Sequence, residues 1–373
     1  MERLSDRETV ERIWWAGVRA VQGEDAVRNA LDAGPIDPPD RIIAVGKAAA
    51  SMAAAASQRF PGVPCLVITK YDHSAGLSLN GPAEVIESAH PVPDAESLRA
   101  GARLLEVVSG LPADSHLLLL VSGGASALVE APKADLTLDD IARENASLLA
   151  AGLDIHAMNA RRKELSRIKG GGLLAAFPGA RATVFAISDV EGDAVGVIGS
   201  GIGLVPDGAA YAHETRIIAS NAIARAAAEE EARALGLPVL GSEETLYADI
   251  AVAAERILDR LDGTPGLRIF GGEPTTILPD APGEGGRNQA LALTLARGIA
   301  GRDGLTALVA GTDGSDGPTG AAGGVVTGET WEDTGAGHLA RADSGPYLRA
   351  HGALFTTGPT GTNVMDLAIV LQR

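Results

Sequence analysis

Short runs of branched apolar residues recur along this chain, and most are followed by an alanine-rich segment long enough for a helix. That alternation is the signature of parallel strands joined by crossover helices, since parallel neighbours cannot be linked by a tight turn. Strands are expected at 41–45, 64–69, 84–87, 116–121, 183–187, 268–270, 305–310, 353–355 and 365–371. Helices are expected at 7–21, 47–59, 95–109, 138–150, 220–235, 245–263 and 289–299. The run Leu117-Leu118-Leu119-Leu120-Val121 is the most telling. It is far too short to cross a bilayer and has no polar face, so it reads as a strand covered by helices on both sides.

A chain of 373 residues exceeds one ordinary core, and two α/β domains are expected. The seam is placed at Gly236-Leu237-Pro238-Val239-Leu240-Gly241, giving a larger domain over 1–236 and a smaller one over 237–373. Aromatic residues make up only 3%, so the cores must be built from Ala, Val, Leu and Ile. A net charge of −17 argues against nucleic acid or an anionic membrane as partner. The single cysteine, Cys65, excludes a disulfide framework, and the seven histidines show no metal-ligand spacing. Met1–Arg7 holds no apolar signal core, and a cytoplasmic enzyme is the working expectation.

Chemistry concentrates where apolar runs empty into glycine-bearing backbone, because open α/β sheets bind ligands at the carboxyl ends of their strands. Val45-Gly46-Lys47-Ala48 is no Walker loop, yet it sets a lysine where its ammonium can meet a phosphate; a surface lysine capping a turn is the other reading. Ser122-Gly123-Gly124-Ala125-Ser126 offers N–H groups and hydroxyls to an anion, or simply makes a tight connection. Its spacing fails that of a serine-hydrolase elbow, because Leu128 stands where the second glycine is required. Five cations fall between Arg161 and Lys169, just before three glycines, as a solvated helix face or as a loop facing an anion. Ser188-Asp189-Val190-Glu191-Gly192-Asp193 and Gly311-Thr312-Asp313-Gly314-Ser315-Asp316 carry carboxylates suited to Mg²⁺ beside phosphate oxygens, or to turns. Arg287 follows Gly285-Gly286, a setting for bidentate recognition of phosphate or carboxylate. His90, stiffened by the following Pro91 and Pro93, either lines a cleft or is a satisfied structural histidine.

Taken in order, these segments, together with His90-Pro91-Val92-Pro93-Asp94, Arg162–Gly171, Gly272-Glu273-Pro274-Thr275 and Gly285-Gly286-Arg287-Asn288-Gln289, resemble the class II glycerate 2-kinases. Members of that family are often labelled hydroxypyruvate reductases, and their C-terminal module is named for its MOFRL motif. The resemblance implies a Rossmann-like larger lobe with a mostly parallel sheet, a smaller α/β MOFRL lobe and a cleft between them. It implies transfer of a phosphoryl group from ATP, with Mg²⁺, to the 2-hydroxyl of D-glycerate. By the same carry-over Lys47, Arg287 and Asp189 are the expected catalytic residues. Ser122, Gly123, Gly124, Ser126, Arg162, Lys169 and Asn288 are expected to bind substrate or phosphate, and Asp193, Asp313 and Asp316 to hold metal.

Four positions depart from the family pattern: Glu164 for a histidine, Gly172 for a frequent arginine, Ile202 in place of proline, and Ala290 for a glutamate. They leave room for a related sugar acid such as a tetronate, or for a silent ligand-binding protein. A nicotinamide-dependent hydroxypyruvate reductase needs a dinucleotide fingerprint, and Gly199-Ser200-Gly201-Ile202-Gly203 has its glycines too close together. The expected partners are a small hydroxy acid and a nucleotide; a homodimer is admitted by the sequence without being required.

Overall fold

The computed structural model describes residues 4–133, 136–150, 161 and 163–373. Arg162 and Met158–Ala160 of the cationic run lie outside the described residues. The chain divides into two compact units, Gln22–Ser220 and a discontinuous unit of Met1–Val21 with Asn221–Arg373.

Gln22–Ser220 is built on a six-stranded sheet: β1 (Arg41–Val45), β2 (Cys65–Lys70), β3 (Ala83–Ser88), β4 (His116–Val121), β5 (Arg181–Ile187) and β6 (Ala212–Ala219). All neighbours are parallel, in the order β3-β2-β1-β4-β5-β6. This is the order of a doubly wound Rossmann sheet. Central strands are buried apart from Arg41, Lys70 and Arg181 at their ends, with Leu117–Leu120 wholly enclosed, as that uninterrupted apolar run requires. The edges differ: β3 and β6 carry Glu84, Glu87, His213 and Glu214 and are partly exposed, which protects against edge-to-edge pairing. That polarity is why β6 gives no strand signal in the sequence.

The second unit holds β7 (Val239–Glu244), β8 (Gly266–Gly272), β9 (Leu305–Gly311), β10 (Gly323–Thr327), β11 (Leu354–Phe355) and β12 (Asp366–Gln372), in the order β11-β10-β9-β12-β8-β7. Only β7 and β8 run parallel; β12 lies between β8 and β9, antiparallel to both. The first residue of β12 therefore sits where β8 and β9 end.

The division at 236/237 expected from the sequence is not where the compact units part. The helix Asp6–Ala20 buries Val10, Ile13, Trp14, Gly17 and Val18 on one face, at the spacing of an apolar stripe. Gly17 lets it approach Asn221–Ala234 so closely that a Cβ there would stand 2.8 Å from the carbonyl oxygen of Ala224. Trp14 meets Phe355 edge-on at 5.2 Å. The N-terminal helix is thus part of the C-terminal core, although the whole of Gln22–Ser220 intervenes in the chain. The helix expected over 245–263 is confined to Ile250–Leu258, capped by the Asp249 carboxylate on the amide of Ala251, while 239–244 is a strand. Among the described residues no helix is long and apolar enough to cross a membrane.

Candidate active site

In the Gln22–Ser220 sheet the connections leave in opposite directions from β1 and β4, which are neighbours, and this switch point opens a crevice at their carboxyl ends. Two loops meet there. Ser122 N donates to Val45 O at 3.0 Å, Lys47 N to Gly123 O at 2.9 Å, and Ala48 N to Ser122 Oγ at 3.1 Å. Gly46 has φ +132°, and a Cβ on it would lie 2.1 Å from Ser122 Oγ. Ser122 is buried and braces the two loops, so its hydroxyl is turned to structure.

Over this brace the side chains converge. Gly124 is left-handed, and a Cβ there would lie 3.0 Å from Lys47 Cγ and 3.2 Å from His90 Nε2. A Cβ on Gly123 would stand 2.0 Å from Asp189 Oδ2, so only bare backbone allows that carboxylate its place. Lys47, His90 and Asp189 are thus gathered around Gly123–Gly124 from three separate loops. Burial, and then the cations Lys47 and Lys70 with His73, push His90 down to about 4, which keeps its imidazole neutral at pH 7. Ser126 accepts a hydrogen bond from Ser200 Oγ at 2.8 Å.

The cationic run is dispersed. Lys169 and Glu130 form an ion pair with both side chains almost wholly buried, which corrects the expectation that Lys169 faces an anion. A buried ammonium needs such a partner, and Glu130 supplies it. The glycines beyond it pair with the chain as well, Gly170 N to Ser200 O and Gly171 N to Gly201 O, both at 2.9 Å. Arg161 lies on Glu144 at 2.6 Å and on the departing residue Glu164 at 2.7 Å, an exposed arrangement. At Gly172 a Cβ would stand 2.3 Å from Arg167 O, so this backbone has no room for the arginine frequent in the family. Ile202 is buried in the core, and Ala290 packs against that of the other unit.

The second unit gathers charge at the ends of β8 and β9. Arg287 opens the helix Arg287–Gly298, and its Nε donates to Asp366 Oδ2 at 2.8 Å. Its Nη1 reaches Glu273 Oε1 at 2.7 Å. Asn288 Nδ2 donates to Asp366 Oδ1 at 2.9 Å, so Asn288, itself buried, supports Asp366. Asp366 stands in none of the motifs read from the sequence, and Glu273 enters there only within Gly272-Glu273-Pro274-Thr275, with no role of its own. The available signal was one carboxylate at the head of the otherwise apolar run Leu367–Leu371, and the Gly272-Glu273 step.

Two of the expected metal ligands are otherwise engaged. Asp316 is buried and accepts from Asn288 N at 3.0 Å and Gln289 N at 2.8 Å, capping the helix that carries Arg287. Burial raises its pKa against these bonds. The helix N-terminus is therefore satisfied by the protein's own carboxylate, which corrects the metal assignment of Asp316. Asp313 Oδ1 accepts from Ser315 N and Oγ, both at 2.8 Å, in an Asx turn. Asp193 is held at φ +53° after Gly192, its amide donating to Val190 O at 3.3 Å. Among the described residues no three of His, Cys, Asp and Glu cluster as a ready metal site.

Residues 9–235 match the family described as Domain of unknown function (DUF4147), and residues 266–366 match the MOFRL family. The D-glycerate 2-kinase of Thermotoga maritima is 35% identical over 89% of this chain and 91% of its own. A protein of Agrobacterium vitis that bears the name hydroxypyruvate reductase is 34% identical over 99% of this chain and 95% of its own. A crystal structure of Thermotoga maritima glycerate kinase superposes with a TM-score of 0.87 at 32% identity, covering 98% of this chain and 99% of that one. With a family model over more than half its length and such relatives across nearly all of it, this chain belongs to the DUF4147–MOFRL glycerate kinase family.

Proposed function

We propose that this protein is an ATP-dependent D-glycerate 2-kinase, transferring the γ-phosphoryl group to the 2-hydroxyl of D-glycerate to give 2-phosphoglycerate and ADP. The observation that carries this reading is the convergence of Lys47, His90 and Asp189 on the bare backbone of Gly123–Gly124 at the sheet's switch point. Phosphoryl transfer asks a protein for positioning and charge neutralisation more than for covalent chemistry. Lys47 supplies a cation beside backbone that an anion can approach closely, and Arg287 supplies a planar fork held by carboxylates. Asp189 is the acceptor suited to orient the attacking hydroxyl and take its proton. His90, kept neutral, can hydrogen-bond the substrate without adding charge.

Mg²⁺ needs only one or two carboxylates beside phosphate oxygens and water, and Asp189 and Asp193, which follow β5 at the carboxyl end of the sheet, suit that need. When bound, the ion neutralises charge on the phosphate oxygens. The test is ADP release over a panel of small hydroxy acids including D-glycerate and a tetronate, with and without Mg²⁺, with NADH oxidation on hydroxypyruvate followed in parallel. ADP release led by D-glycerate supports the reading. NADH oxidation without ADP release would replace it with the reductase named among the relatives.

A further inference from the structure

Arg287 is held by two carboxylates that differ in kind. Asp366 is 1% exposed, at the head of β12 between Gly272 of β8 and Gly311 of β9. Its carboxylate receives Arg287 Nε at 2.8 Å and Nη2 at 3.4 Å, and Asn288 Nδ2 at 2.9 Å. Its backbone is pinned as well, for Asn221 Nδ2 donates to the carbonyl oxygens of Val364 and Asp366, both at 3.0 Å. A Cβ on Gly311 would stand only 3.2 Å from Asp366 Oδ1, so the glycine keeps the carboxylate's place open. Glu273 takes the opposite corner, Nη1, and its side chain is 45% exposed.

A buried carboxylate is costly, and an apolar pair would stabilise the sheet end at least as well. What the pair provides that an apolar one cannot is a fixed plane and direction for the guanidinium. We propose that Asp366 is the positioning residue for Arg287, locking its Nε edge so that the Nη1 corner, covered by the replaceable Glu273, is presented to a phosphate oxygen of a bound ligand. This rests on the kinase reading above. The five N–H donors of the guanidinium divide accordingly: the Nε edge is committed to the protein and the Nη1 corner can exchange an exposed carboxylate for a ligand oxygen.

The test is a double-mutant cycle on the full chain, with Asp366→Asn, Arg287→Ala and the double variant assayed for ADP release from MgATP and D-glycerate. Asp366→Asn is expected to lower kcat about 10–100-fold with KM for D-glycerate within about threefold, the pattern of a misplaced transition-state contact. In the Arg287→Ala background the same change should cost less than about threefold, because Asp366 has nothing left to position. A purely structural residue would give independent losses that multiply, and that result, or full activity in Asp366→Asn, overturns the proposal. Should Asp366→Asn fail to fold, Asp366→Glu keeps the charge but shifts the guanidinium, and undiminished kcat in that variant overturns it equally. A wild-type chain silent on D-glycerate refutes the reaction instead. In that case thermal shift of Arg287→Gly with methylguanidinium still tests the Asp366 holder, stabilisation being expected and its absence counting against it.

Discussion

At the residue scale, the site is a matter of which charges are held and which remain available. Lys47 contributes charge at a loop and little packing, so Lys47→Ala is expected to keep its melting temperature and lose on the order of 10²–10³ in kcat. Wild-type turnover in that variant would remove Lys47 from the mechanism. Arg287→Lys should be nearly as damaging as Arg287→Ala in the same assay, because one ammonium cannot bond Asp366 along an edge and offer a second corner. His90 yields a pH prediction. Its folded pKa of about 4 lies below the ordinary imidazole value of 6.5, so the unfolded chain binds the proton more tightly between those values. Stability is therefore complete above about pH 6.5 and falls as the pH drops toward 4. Urea unfolding at pH 5 and 7.5 should show wild type losing about 1 kcal/mol more than His90→Gln on acidification, after allowance for the ring's partial exposure. Equal losses in the two proteins would remove His90 as the source.

At the element scale, the helix Arg287–Gly298 depends on a cap that comes from a different loop. Asp316 receives two of its amides in a buried setting, so Asp316→Ala leaves them without a partner. A cost of about 1–3 kcal/mol is expected in chemical denaturation, with kcat falling as well because Arg287 sits on the first turn. If Asp316 were a metal ligand instead, the loss would appear as a raised Mg²⁺ requirement at unchanged stability. Elements with strong apolar patterns were legible in the sequence: β1, β4, β5 and β9 fall within two residues of expectation. Missed elements had a physical reason. β6 is a polar edge, β7 has no buried residue, and β10 begins with Gly323-Gly324, where a Cβ at Gly323 would stand 1.9 Å from Val309 O. Such glycines read as a turn until the neighbouring strand is known.

At the scale of the whole molecule, the discontinuous unit makes the first 21 residues part of the C-terminal fold. Trp14→Ala should cost about 3–5 kcal/mol, since a fully buried indole leaves a cavity its neighbours cannot close. Hydrogen exchange should then show protection lost in Asn221–Ala234 and β12 while the strands of Gln22–Ser220 keep theirs. Uniform loss over both units would mean that they unfold together. By itself the sequence determined the α/β class, the two-unit scale and the glycine-bearing loops that hold Lys47, Asp189 and Arg287, because periodicity and turn chemistry act over a few residues. Only the tertiary structure decided that Asp6–Ala20 belongs with the second core, that Lys169 is spent on Glu130, that Asp316 caps a helix, and that Asp366 grips Arg287. Those outcomes hang on partners distant in sequence, 27 residues for Asp316 and Gln289 and 79 for Arg287 and Asp366, and on burial, which turns an ordinary carboxylate into a committed one.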